Sequence, residues 1–498
     1  MNSPHEILNH HFGHREFRGQ QGAVIDHLLQ GRHALVIMPT GAGKSLCYQI
    51  PALMLAEISM LAKISQPNAS PSSPADSRRP LTLILSPLIA LMKDQVDALV
   101  SRRIEATFIN SSLSGQQRKQ RYQAVAQGRY SLLYVTPERF RKKEFLEALA
   151  HRKVSLLAVD EAHCVSQWGH DFRPDYSRLK EFRTLLGSPT TVALTATATM
   201  EVQADIIHQL GLEPADVQVF HQGINRPNLQ LMVDEIGGED EKLERIEEAV
   251  DQGSLTGEST IIYFTLIRTL SAFSEQLRHR AIPHIVYHGD LLRQQRKEIQ
   301  DTFMQGHSPL VLATGAFGMG IDKKNIRQVI HAEVPGSLES YYQEIGRAGR
   351  DGLPAHCLLL YDPHDLTTHM RFIEWKNPDP DFYHRVYNLL TTDQERVLAF
   401  GIEWLKKQLH AGSAHDHRLE TALAMLDRYG ILQRGHRESD LIICDDLPDV
   451  LIDQQRHAEK IRRDREKLYV MVQYVQHRGD RMEFIHRYFG LDCKCSVT

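Results

Sequence analysis

Unbroken apolar runs, not a strict apolar–polar alternation, organise the first part of the chain. They fall at 34–38, 81–85, 131–135, 154–159 and 191–194, with helical stretches between them. Runs of this length, bounded by turn residues, read as strands buried on both faces. Strand and helix in alternation predict a parallel sheet wrapped by helices. A second alternation starts near Thr260, with runs at Ile261–Phe264, His284–Tyr287, Leu310–Ala313, Gln328–His331 and Cys357–Tyr361. From about 371 the strand rhythm stops and a helical period takes over, as in Leu419, Ala422, Leu423 and Leu426. Gly430–Gln433 and Leu441–Cys444 then offer two short strands. Helices followed by a hairpin suit a winged helix or an ordinary helical appendage. The expected division is 1–215 and 216–370 as two α/β domains and 371–498 as a mainly helical region. Ser65–Pro74 is rich in Ser and Pro, cannot bury a core, and reads as a surface loop.

Composition narrows the picture. A chain of 498 residues has room for about three domains, and 42% apolar content suffices for packed cores. Lys and Arg number 58 and Asp and Glu 62, a net charge of −4, so any nucleic-acid contact must come from local patches. The Arg- and Lys-dense stretch Arg456–Lys467 is better explained as a solvated helix face than as such a patch. Six Cys without a pairing framework suit a reducing compartment. The start, Met-Asn-Ser-Pro-His-Glu, is no leader. The apolar helix from Pro51 to Ile64 is interrupted by Glu57 and Lys63 and is too short for a bilayer. The expectation is a soluble, cytoplasmic protein with no membrane partner.

Chemistry enters at the ends of two runs. After Ala34–Met38 comes Pro39-Thr40-Gly41-Ala42-Gly43-Lys44-Ser45. Gly41 and Gly43 let the backbone curl so that N–H groups face a phosphate chain. Lys44 supplies charge to the terminal phosphates, and Ser45 a hydroxyl to Mg²⁺. Met38 stands where the strict phosphate-loop pattern has its first Gly. After Leu156–Val159 comes Asp160-Glu161-Ala162-His163. Asp160 at a strand's end suits the Mg²⁺ shell, and Glu161 suits polarising water. The pair predicts an enzyme driven by a nucleoside triphosphate.

In the second α/β unit, Arg347 and Arg350 lie three apart in Gln343–Gly352 and share a helix face. Placed across a cleft from Lys44, they suit charge developing on a transferred phosphoryl group. Thr314–Asp322, with three glycines, makes a close-approach turn. Gln167, Trp168, His170, Phe172 and Arg173 interleave aromatic, polar and basic side chains, a pattern for stacking on single-stranded bases or for a loop packed under the sheet.

These residues resemble the RecQ family of superfamily-2 DNA helicases. Phe12–Arg18 with Gln21 resembles its adenine-binding motif, Met38–Leu53 its phosphate loop and helix, and Ser86–Met92 and Thr136–Glu138 its strand-contact motifs. Thr195–Ala198 resembles the motif linking hydrolysis to unwinding, and the aromatic-rich segment is the most family-specific match. The resemblance implies two tandem RecA-like domains. It implies Gln21, Thr40, Gly41, Ala42, Gly43, Lys44 and Ser45 as the nucleotide site; Lys44, Asp160, Glu161, Arg347 and Arg350 as the catalytic set; and Ser86, Thr136 and the aromatic-rich residues as DNA contacts. ATP, Mg²⁺ and DNA, single-stranded and at duplex junctions, are the implied partners, with 3′ to 5′ unwinding in recombination or repair. The family's four-Cys zinc module is not matched. Arg481–Gly490 resembles its helix, but Asp480 replaces the first Cys and only Cys493 and Cys495 follow, so zinc is not expected. An RNA-directed ATPase, or a nucleotide-gated clamp that does not unwind, are the rival readings.

Overall fold

The computed structural model describes residues 2–65, 80–166, 176, 178–254, 258–318, 321, 323–409, 416–434 and 440–491. The segments 66–79 and 167–175 lie outside the described residues, and with them most of the expected Ser/Pro-rich loop and the whole aromatic-rich segment, Gln167, Trp168, His170, Phe172 and Arg173 included. Cys493 and Cys495 also lie outside.

The first sheet has seven parallel strands: β1 (His33–Ile37), β2 (Pro80–Leu85), β3 (Ala106–Ile109), β4 (Leu132–Val135), β5 (Lys153–Val159), β6 (Thr190–Thr195) and β7 (Val217–His221), in the order β3-β4-β2-β5-β6-β1-β7. Its central strands are buried along nearly all of their length, as their apolar runs require. Leu35, Leu83 and Leu157 pack one face and Val36, Ile84 and Ala158 the other. The sheet runs on to His221, past residue 215, because β7 pairs with β1 from His33 to Ile37. β7 is an edge strand whose residues are half-buried or exposed, so its sequence carries no apolar run.

The second sheet has six parallel strands: β8 (Leu229–Glu235), β9 (Ser259–Phe264), β10 (Ile285–Tyr287), β11 (Leu310–Thr314), β12 (Ile326–His331) and β13 (Ala355–Tyr361), in the order β10-β11-β9-β12-β13-β8. Two α/β domains followed by a helical region is the expected fold class.

The third region divides in two. The helices Pro380–Thr392, Gln394–Gln408 and Arg418–Arg428, with the antiparallel hairpin β14 (Leu432–Arg434) and β15 (Leu441–Ile443), enclose their own core around Phe382, Leu405, Leu423 and Leu426. The helices Gln454–Gln476 and Arg481–Tyr488 instead return to the second domain, where Met471, Tyr474, Ile485 and Phe489 join its core. The module 380–452 is thus an insertion between the second domain and two helices that complete it. Asp480 caps the last helix, accepting from the Met482 and Glu483 N–H groups at 2.8 and 3.2 Å. The Arg-dense stretch is largely self-paired: Arg462 binds Glu459 and Glu466, and Arg463 binds Glu459. Among the described residues, no helix is long and apolar enough to cross a membrane.

Candidate active site

The carboxyl end of β1 delivers the glycine-rich loop. Met38 N–H still donates to Thr195 O, so the ladder persists one residue beyond the strand before the chain turns. Gly41 and Gly43 sit at φ +83° and +80°, where other residues are strained, and the helix Leu46–Ser65 follows. Lys44 Nζ donates to Met38 O at 3.0 Å across its own loop. Burial holds the Lys44 ammonium below its ordinary pKa, against the pull of Glu161 and Asp160.

Asp160 continues β5, its N–H bonded to Leu85 O at 2.8 Å. The chain then breaks sharply: Glu161 has φ +49°, an unusual conformation for a carboxylate residue, and a short 3₁₀ turn follows. Burial first, and then the neighbouring Glu161, pushes the Asp160 carboxyl up in pKa, against Lys44. Ser45 Oγ accepts from Gln95 Nε2 at 3.2 Å, and Gln95 is oriented in turn by Tyr48 OH at 2.8 Å. Ser45 hydroxyl and the two carboxylates open on one cleft, an all-oxygen donor set that fits Mg²⁺.

The opposite wall belongs to the second domain. The helix Leu338–Ile345 ends in a turn carrying Arg347 and Arg350. Arg226, half-buried, braces this turn by donating to Gly346 O, Ala348 O and Gly349 O at 3.2, 2.5 and 3.0 Å. Asn228 adds a bond to Gly349 O at 2.9 Å. Arg347 itself donates to Gly318 O. Arg350 lies against the loop of the first domain, where a Cβ on Gly41 would stand 3.6 Å from Arg350 Cδ. The cleft between the domains measures about 740 Å³ and is lined by Thr40, Gly41, Gly43, Lys44, Ser45, Asp160 and Glu161 on one side and Gln343, Glu344, Arg347 and Arg350 on the other.

Gln21 is absent from that lining. It is buried, its Oε1 accepts from Arg18 N–H at 2.9 Å, and its Nε2 donates to Ala42 O and Gly43 O at 2.8 and 3.1 Å. Both amide protons are therefore engaged by the loop. Ser86 and Thr136 follow β2 and β4 and are both buried; neither lines the cleft, although Pro87 and Leu88 next to Ser86 do.

In the sequence, His163 and Gln343 stand only inside their motifs, without a role, and Thr195–Ala198 is a motif without its contacts. His163 Nδ1 lies 3.4 Å from Glu161 Oε2 and 3.1 Å from Thr195 Oγ1, which donates to Thr197 O at 3.0 Å. Gln343 Nε2, from the second domain, donates to Thr197 Oγ1 at 3.3 Å. A polar path thus runs from the Glu161 carboxylate across the domain boundary. Arg226 and Gln95 stand far from the motifs in sequence, and no local pattern marks them.

Two parallel-sheet domains facing each other across a phosphate loop, an acidic pair and an arginine turn define the two-domain nucleotide-driven helicase class. The family description DEAD/DEAH box helicase matches residues 18–206, and helicase conserved C-terminal domain matches 241–352. The ATP-dependent DNA helicase RecQ of Bacillus subtilis is 42% identical over 74% of this chain and 58% of its own length. The probable ATP-dependent DNA helicase RecS of the same organism is 36% identical over 80% of this chain and 74% of its own length. The chain belongs to the RecQ family of superfamily-2 helicases. It spans 52–58% of the length of the RecQ relatives from Bacillus subtilis, Pasteurella multocida and Haemophilus influenzae. Among solved structures, the DUF1998 helicase MrfA bound to DNA and AMPPNP has a TM-score of 0.58 at 15% identity, covering 90% of this chain and 62% of that one. Dbp5 of S. cerevisiae bound to RNA and ADP BeF3 has a TM-score of 0.56 at 18% identity, covering 75% and 91%. At these identities the likeness is one of fold.

Proposed function

We propose that the chain is an ATP-dependent DNA helicase that moves 3′ to 5′ on a single strand and unwinds duplex in recombination or repair, in the cytoplasm. The observation that carries this reading is Arg350 lying against the phosphate loop of the other domain, which makes the reactive site a property of both domains together.

In this mechanism Gly41, Gly43 and Lys44 hold the phosphates of ATP, and Ser45 and Asp160 would hold Mg²⁺. Held there, the cation would supply charge that neutralises the nucleotide's phosphates. Glu161 takes the proton of the attacking water. Its left-handed backbone aims the carboxylate into the cleft, and His163 keeps it there. Arg347 and Arg350 meet negative charge as it spreads over the transferring phosphoryl oxygens, where fixed donors act most strongly. Loss of the terminal phosphate removes what draws the arginine turn toward Gly41. The domains then separate, and repeated closure and opening ratchets the strand.

The test is strand displacement with ATP on partial duplexes carrying a 3′ or a 5′ single-stranded tail. Unwinding of the 3′-tailed substrate alone is expected. ATP-dependent binding without displacement would instead make the protein a clamp. Displacement and stimulation with RNA only would make it an RNA-directed enzyme.

A further inference from the structure

The inserted module does not stand clear of the first domain. Arg141 Nη1, just after β4, donates to Asp427 O of the module at 2.9 Å. Beside this bond lies a groove of about 200 Å³ lined by Pro87, Ile89, Thr136, Pro137, Glu138 and Tyr176 of the first domain and Arg428 of the module. Pro87 and Thr136 follow the carboxyl ends of β2 and β4, the edge at which open parallel sheets take their ligands.

Two polar groups of this groove are unspent. Thr136 is 3% exposed, yet its hydroxyl has no hydrogen-bond partner among the described residues. A buried donor left so costs free energy unless something meets it. Arg428 is exposed and makes no hydrogen bond or ion pair among the described residues, although Glu138 lines the same groove. An arginine and a buried hydroxyl lining one groove suit an oxyanion, and a guanidinium matches phosphate in both charge and donor geometry. The size agrees: at ~30 Å³ per water the space holds about seven waters, enough for a phosphodiester but below the ~300 Å³ of a pocket for a whole small-molecule ligand.

We propose that Arg428 of the inserted module joins Thr136, already an implied strand contact, in holding one backbone phosphate of the bound strand, so that the module adds its own grip beside the first domain. This rests on the reading of the chain as a nucleic-acid motor and adds to it a contact from outside the two motor domains. Being a backbone contact, it carries no sequence preference. Glu138 opposes it, since its carboxylate repels the phosphate that Arg428 attracts.

The experiment measures binding of a fluorescein-labelled oligothymidylate to the full chain across a salt series. One phosphate contact on a single strand contributes about 0.7 to the slope of log K against log salt. Arg428→Ala should therefore flatten the slope by about 0.7 and weaken binding about fivefold at 0.1 M salt. Arg428→Lys should keep the slope, and Glu138→Gln should tighten binding. The melting temperature and the ATPase rate without nucleic acid should not move, because Arg428 is exposed and outside the cleft. If the unmodified chain binds the oligonucleotide and Arg428→Ala leaves its slope and affinity unchanged, this inference alone fails, and Arg428 is surface only. If the unmodified chain does not bind it at all, the motor reading fails and takes the inference with it.

Discussion

Replacing Gln21 by Ala separates two roles for that residue. Family resemblance makes it the reader of adenine. The structure engages both of its amide protons with the carbonyls of Ala42 and Gly43, inside the phosphate loop. The Ala variant loses these two bonds and the one accepted from Arg18. At 0.5–1.5 kcal/mol each, the two loop bonds are together worth about 1–3 kcal/mol. Ala42 and Gly43 are only half-buried, so water re-solvates their carbonyls and the lower part of that range applies. The loop must be ordered to bind phosphates, so this energy appears in affinity: about 1.4 kcal/mol, or tenfold. The loss should be nearly equal for ATP, GTP and inorganic tripolyphosphate, because all three use the loop. Isothermal titration with each ligand is the assay. A tenfold loss for ATP, with tripolyphosphate unchanged, would refute the tether and make Gln21 an adenine reader after all.

Lys44→Ala and Glu161→Gln should each abolish hydrolysis in a phosphate-release assay while leaving the melting curve intact, and Glu161→Gln should still bind ATP. Arg350→Ala should lower turnover by ~10³-fold or more with little change in nucleotide affinity, the scale of an arginine acting on the transferred group. A fourth outcome concerns stability and pH. Burial pushes the Asp365 carboxyl up to about 6, against the pull of Lys242 at 3.4 Å. A carboxyl raised in the folded state contributes stability below its unfolded value, and that contribution is lost as pH rises through about 6. Lys242→Met removes the cation and raises the folded value further, so chemical denaturation should find it destabilised by about 3–5 kcal/mol at pH 7 and by clearly less at pH 5.

Central strands were legible because burial on both faces leaves an unbroken apolar run, as in β5 and β9. The edge strands β7 and β8 were not: with one side toward solvent, Val-Gln-Val-Phe-His and Leu-Gln-Leu-Met-Val-Asp-Glu mix polar and apolar residues. That Gly41, Gly43, Lys44 and Ser45 would share a cleft with Asp160 and Glu161 was legible, because phosphate chemistry restricts residue type and spacing within one loop. Their supports were not. Arg226 stands 120 residues from Gly346, which it braces, and its role exists only once β8 has paired beside β13. The return of Tyr474 and Phe489 to the second core was equally hidden, because the module 380–452 interrupts the chain between them and the sheet they cover.

These supports bear on how the machine moves. Each half of the cleft is rigid by itself: Gln21 ties the phosphate loop to the first domain, and Arg226 and Asn228 tie the arginine turn to the second. Bonds across the cleft are lighter. Gln343 to Thr197, at 3.3 Å, is worth about 1 kcal/mol. On another side of the interface, Arg463 of the helix Gln454–Gln476 pairs with Glu201 of the first domain. An ion pair as exposed as this one adds about 0–1 kcal/mol. Nothing so weak locks the domains, and facing domains with small polar contacts are expected to move. Their separation can therefore follow the nucleotide, whose phosphates join two prebuilt halves. On the proposed mechanism the energy of closure comes from Lys44, Arg347 and Arg350 acting on the same anion, so removing any one of them should weaken closure together with hydrolysis.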